Sequence, residues 1–154
     1  MYTGSMRSWI HAAIVLVAAA FTTPSLAQPS LLEVTEASCL RVAKVRTDVE
    51  ASLGATAQTG VAEIERLDAQ GASNATIFHY YLEVRMELTR TSSGGQALVG
   101  RIQTSSVATL IRLGAPEVLI ARVNEHSLKA TRGIGFARAA ALEDVRWAAI
   151  AAMQ

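Results

Sequence analysis

The stretch "YYLEVRMELTRTSSGG", residues 80–95, decides how the chain is read. Leu82, Val84, Met86 and Leu88 alternate with Glu83, Arg85, Glu87 and Thr89, the two-residue period of a strand with one face buried. Burying four such side chains contributes roughly 1.5 to 3 kcal/mol each at full burial, which pins the register. Ser92-Ser93-Gly94 then predicts a three-residue hairpin loop with Gly94 in the left-handed region. In that pairing Leu88 faces Leu98, Met86 faces Gly100 and Val84 faces Ile102, so the apolar faces match. A slip by one residue sets Met86 against Arg101 and buries a charge. The chosen register places Arg85 opposite Arg101, softened by Glu83 and Glu87 on the diagonals.

Upstream, residues 31–53 put Leu31, Val34, Ser38, Val42, Val45, Val49 and Leu53 at spacings of three and four, one face of a helix. Gly54 supplies a stop, and "GATAQTG" (54–60) reads as a loop. A short second helix with Val61, Ile64 and Leu67 on one side closes at Gly71, and "ASNAT" turns the chain. Downstream, "SSVATLIRLG" and "PEVLIARVN" are short apolar runs separated by the turn signal Gly114-Ala115-Pro116, and "HSLKATRG" offers a further strand. Residues 135–154 are Ala-rich, with no Pro and no internal Gly, and predict a C-terminal helix. Together these features predict an α+β domain: an antiparallel hairpin or small sheet over about residues 81–131, with N-terminal helices and a C-terminal helix. An all-β sandwich is the alternative.

The start of the chain speaks to compartment. "AAIVLVAAAF" (12–21) is an apolar run too short to span a bilayer, preceded by Arg7 and followed by the helix breaker Pro24. Ser25 and Ala27 are the small residues that a signal peptidase needs, so residues 1–27 are expected to be a signal peptide cut before Gln28. Residues 28–154 then form a single small domain, too short for two cores. A periplasmic or secreted location follows.

Arg7 is the only formal charge before Gln28. Of the 14 Lys and Arg, 13 remain against 13 Asp and Glu, a net charge of zero. A neutral chain gives no electrostatic case for nucleic acid or an anionic membrane, and no span remains after cleavage. The few aromatics after residue 27 argue against a stacking platform for bases or sugars. The excess of Arg over Lys and the abundant Ala fit a GC-rich bacterial genome.

Motifs for chemistry are sparse. Cys39 is the only cysteine, so no internal disulfide forms; it is either a buried apolar thiol or a reactive one, open to an intermolecular bond. His79, His126 and Cys39 are too far apart in sequence to predict a metal site. Glu125-His126-Ser127 has the residue types of a hydrolase, but neighbours in sequence cannot converge as a triad. "RGIGFAR" (132–138) lacks the third glycine of a dinucleotide fingerprint, since Arg138 stands there. No catalytic, cofactor or metal residues are assigned. No cofactor is expected.

Residues 80–124 are similar to the small periplasmic chaperones of curli-type amyloid assembly. The shared order is an aromatic, the alternating strand "YYLEVRMELTRTSSGG" with its Ser/Gly hairpin, a Gln-bearing strand "RIQTSSVATL", and "LGAPEVLIARVN" with its turn. The sequence departs from that family at Gln103, followed by Thr104-Ser105 rather than two glycines, and in having Cys39 without a partner. The resemblance implies a non-enzymatic binding protein, chaperone-like toward an unfolded or fibre-forming protein client. Its client-binding strand edge would carry Glu83, Arg85, Glu87 and Thr89. A small envelope enzyme of unknown reaction and a structural, oligomerising envelope protein are the alternatives.

Overall fold

The computed structural model describes residues 28–154, and the leader expected over residues 1–27 lies outside them. Three helices follow one another: α1 (Leu31–Ala69), α2 (Asn74–Arg112) and α3 (Glu117–Ala152). At 1.5 Å per residue a 39-residue helix is about 58 Å long, so the bundle is a slender rod. Each helix packs against both others. The turns are short, so neighbours in sequence run antiparallel and α3 runs parallel to α1. The α+β fold and the all-β sandwich are both overturned: among the described residues there is no strand.

Helix starts and stops follow from local chemistry. Ser30 Oγ accepts from the Glu33 N–H at 3.1 Å while the Glu33 carboxylate accepts from the Ser30 N–H at 2.9 Å, a reciprocal cap on α1. Ser73 Oγ accepts from the Thr76 N–H and caps α2. Gly71 and Gly114 have φ of 71° and 72°, the left-handed conformation that ends a helix. There the Ala72 N–H reaches Leu67 O and the Ala115 N–H reaches Leu110 O, which satisfies carbonyls that the helix leaves open. The turn signals at Gly71 and at Gly114-Ala115-Pro116 therefore mark the two real corners.

The expected hairpin fails because the pattern is helical over a longer window. On α2 the buried positions are Ile77, Val84, Leu88, Ser92, Gly95, Val99, Ser106 and Leu110, spaced by three, four and seven. Val84 and Leu88 are one turn apart and face inward, whereas Met86 is 62% exposed on the far side. The alternation of residues 82–88 is the overlap of a core stripe with an exposed apolar stripe on one helix. Ser92 and Gly95, read as hairpin residues, are buried in the seam. The loop read at residues 54–60 is helix for the same reason: Ala57 and Gly60 are buried in the core face of α1.

Both helices depart from a seven-residue repeat at matching places. Val49, Leu53, Ala57 and Gly60 step by four, four and three, as do Val84, Leu88, Ser92 and Gly95. Eleven residues in three turns is close to the natural helical period, so the helices pass without the supercoil that strict heptads impose. The two segments lie side by side in opposite directions, with Val49 against Gly95 at one end and Gly60 against Val84 at the other. Val145 of α3 also adjoins Gly60.

The α2–α3 seam adds a polar ladder with a seven-residue step. Arg138 Nη2 donates to Thr89 Oγ1 (3.2 Å), Gln96 Nε2 to Thr131 O (3.2 Å) and Gln103 Nε2 to Asn124 Oδ1 (2.8 Å). The main apolar core runs from Val42 to Ala149, and a smaller cluster of Cys39, Leu110 and Val123 closes one end.

Candidate functional site

The four residues expected on a strand edge lie on α2 and split between its two sides. Glu83 and Glu87 line a shallow groove against α1 with Ala55, Thr56, Thr59 and Tyr80. Glu83 pairs with His79 Nε2 at 3.2 Å, and Glu87 with Arg90 at 2.8 Å. Burial, together with the carboxylates of Glu63 and Glu83, pushes the Tyr80 phenol above its ordinary value. Arg85 lies on the other side, toward α3, where it lines a groove with Tyr81, Leu142, Glu143 and Arg146. Thr89 sits in the α2–α3 seam, donating to Arg85 O at 2.9 Å and accepting from Arg138. A helix separates residues that a strand would align.

Cys39 is buried beside Leu110 and Val123. Burial raises its thiol above the ordinary value, opposed by the nearby Arg122 guanidinium and reinforced by Glu36. Arg122 is itself ion-paired to Glu36 at 2.7 Å, which blunts its pull on the thiolate. A protonated, enclosed thiol is a poor nucleophile. His79 is exposed near the start of α2, and His126 is half-buried on α3. Among the described residues no ion pair or hydrogen bond links them to Cys39 or to each other, and no group of three His, Cys, Asp or Glu could hold a metal.

What the rod presents instead is surface relief. On α2, Leu82, Arg85, Met86, Thr89 and Arg90 follow one another at helical spacing and form an outward ridge around a shallow apolar hollow. Phe78, one turn before Leu82, is also exposed and lies near Tyr81, ring centroids 6.1 Å apart. Between α1 and α3 runs an open groove of about 600 Å³ lined by Gln58, Val61, Glu65, Asp144, Trp147 and Ala148. Trp147 is 61% exposed there, with the Arg146 guanidinium 5.8 Å from its ring. Nothing in the sequence joins Trp147 to Glu65 and Val61, which lie on a helix far earlier in the chain. The available signal was the four-residue spacing of Phe78, Leu82 and Met86, masked by its alternation with Val84 and Leu88.

Comparison with protein-family models, curated proteins and solved structures finds no match to this chain. Among the described residues no helix is long and apolar enough to cross a membrane.

Proposed function

We propose that the chain is a non-enzymatic, exported protein that works by docking another protein along its helix faces. The observation that carries this reading is the outward ridge of α2, where Leu82 and Met86 lie among Arg85 and Arg90 with no other part of the chain over Met86. Apolar side chains flanked by guanidiniums are the composition of a protein-docking surface, because the methylenes and sulfur give area while Arg fixes orientation. Export rests on the apolar run 12–21 and the small residues Ser25 and Ala27.

The client class is an unfolded or fibre-forming chain, as the resemblance of residues 80–124 implies, although the strand edge that would have held it is replaced by a helix. Met86→Glu tests the reading, since position 86 is exposed and the change leaves the fold intact. In a dye-binding assay of an amyloid-forming peptide, the wild-type protein delays fibre growth and the variant loses that delay. A folded variant that delays as well as wild type contradicts the ridge as the docking surface.

A structural, oligomerising role is the second reading. The carboxylates Glu65 and Asp144 in the α1–α3 groove, beside arginines on the α2 ridge, favour it.

A further inference from the structure

Most charges of the chain are satisfied within one helix or between neighbours: Lys44 with Asp48, Arg46 with Glu50, Arg66 with Glu63, Lys129 with Glu125. Other charges have no ion pair among the described residues, Arg41, Asp68, Arg101, Arg112, Glu117 and Arg132 among them, and three of these unpaired groups bear on two faces of the rod. Glu65 and Asp144, which face each other across the α1–α3 groove beside Trp147, have no ion pair among the described residues. Arg85, on the ridge of α2, likewise has none. Two unpaired carboxylates therefore line the α1–α3 groove, and an unpaired guanidinium stands on α2.

The geometry makes that split consequential. In a bundle of three mutually packed helices, the groove between two lies on the side away from the third, so the α1–α3 groove faces away from the outward side of α2, where Met86 and Arg90 stand with Arg85 on the flank toward α3. The two features are also level along the rod. Ala55, Thr56 and Thr59 of α1 line one groove with Tyr80 to Glu87 of α2, and the next turns of α1, Gln58 to Glu65, line the groove that holds Trp147. One face is a ridge with apolar tips and a free guanidinium. The other is a trough with an apolar floor at Val61 and Ala148, an exposed indole and two free carboxylates.

We propose that these faces are mates, and that the α1–α3 groove of one copy receives the α2 ridge of a second copy. The proposal rests on the reading of the ridge as a protein-docking surface and names its partner. Leu82 and Met86 would cover Val61 and Ala148, and Arg85 would meet Glu65 and Asp144 with Trp147 beside it, an arrangement that favours both ion pairing and cation–π contact. Because the two faces differ and point in opposite directions, the contact is heterologous and does not close: copies stack side by side, perpendicular to the rod axis, into an open row. The contact spans only a few helical turns, so association is weak, concentration-dependent and weakened by salt.

Sedimentation velocity on the purified protein tests this. At an ionic strength of about 0.02 M, wild type forms species larger than a dimer as concentration rises a hundredfold, and about 0.5 M salt returns it to monomer. The ridge variant Arg85→Ser/Met86→Ser and the groove variant Glu65→Gln/Asp144→Asn, neutral so that the two altered faces cannot pair with each other, each remain monomeric, with unchanged far-UV circular dichroism because all four positions are solvent-facing. Mixed one to one, they form a dimer that grows no further, since the mixture has intact ridges only on one variant and intact grooves only on the other. A wild type that stays monomeric at low salt, or a mixture that does, overturns the proposal. So does either variant assembling by itself. If the ridge variant loses its effect on a client while wild type is monomeric, only the self-docking falls. If wild type assembles as described and no client responds, only the chaperone-like client falls.

Discussion

Gly95 of α2 lies directly against Val49 of α1, so close that a Cβ at position 95 would stand 2.6 Å from Val49 Cγ2. The close approach lets two long helices pack through a seam that mixes Leu53, Val84 and Leu88 with small residues, Ser92 and Ser106 also being buried on α2. Gly95→Ala must push Val49 aside. Overpacking of this kind costs roughly 1 to 3 kcal/mol, more than the roughly 1 kcal/mol that alanine returns in helix propensity. Gly94, one residue earlier, has open space where its Cβ would be, so Gly94→Ala is stabilising by up to about 1 kcal/mol. Thermal melts of the two variants should move in opposite directions.

Ser127 offers a cleaner gain. Its hydroxyl is buried and has no hydrogen-bond partner, unlike Ser106, which accepts from Arg41, or Ser38, which donates to Val34 O. Ser127→Ala removes an unsatisfied polar group and adds helix propensity, so it stabilises by about 1 kcal/mol. Ser106→Ala leaves Arg41 without its acceptor and shows a smaller gain or a loss. Denaturant midpoints at constant slope measure the difference.

Cys39 should behave as an enclosed thiol. In native protein it reacts with a thiol reagent only as fast as the bundle opens, and the rate rises to that of a free thiol in denaturant. The folded-state pKa is raised by burial, so the thiol's contribution to stability is complete below the unfolded pKa of about 8.5 and is lost as pH rises through the folded value. Cys39→Ala should flatten the alkaline decline in stability. Tyr80, raised for a related reason, contributes to that decline at higher pH and is untouched by the substitution. Fast labelling of the native protein, or an alkaline slope equal in both chains, would contradict this.

How far the sequence could be read depends on which residues held the information. The face Val42, Val45, Val49 and Leu53, the stripe Val61, Ile64 and Leu67, and the turns at Gly71 and Gly114 were all visible, because large apolar side chains at helical spacing and glycines at corners are direct signals. The errors fell on small residues. Gly54 to Gly60 and Ser92 to Gly95 look like loops because Gly and Ser disfavour isolated helices, yet here Gly60 and Gly95 lie hard against valines of the facing helix and Ser92 is buried beside them. The propensity penalty is outweighed by tertiary packing along rods of about 58 Å. Half-buried Leu82 and exposed Met86 completed the false strand. The sites were less legible still, since the ridge depends on knowing that residues 82–90 are helical, and the groove joins α1 to α3 across most of the chain.

The helical reading of residues 80–95 underlies every other claim, and one pair of substitutions separates it from the strand. A strand buries Met86 and Leu88 alike. In the bundle Leu88 is 0% exposed and Met86 is 62% exposed. Leu88→Asp should therefore place an uncompensated charge in the core and unfold the protein, while Met86→Asp should cost under about 1 kcal/mol. Urea melts followed by the helical circular dichroism signal measure both. The account predicts a cooperative, near-wild-type transition for Met86→Asp beside a collapsed one for Leu88→Asp. Equal and severe destabilisation by both would contradict it.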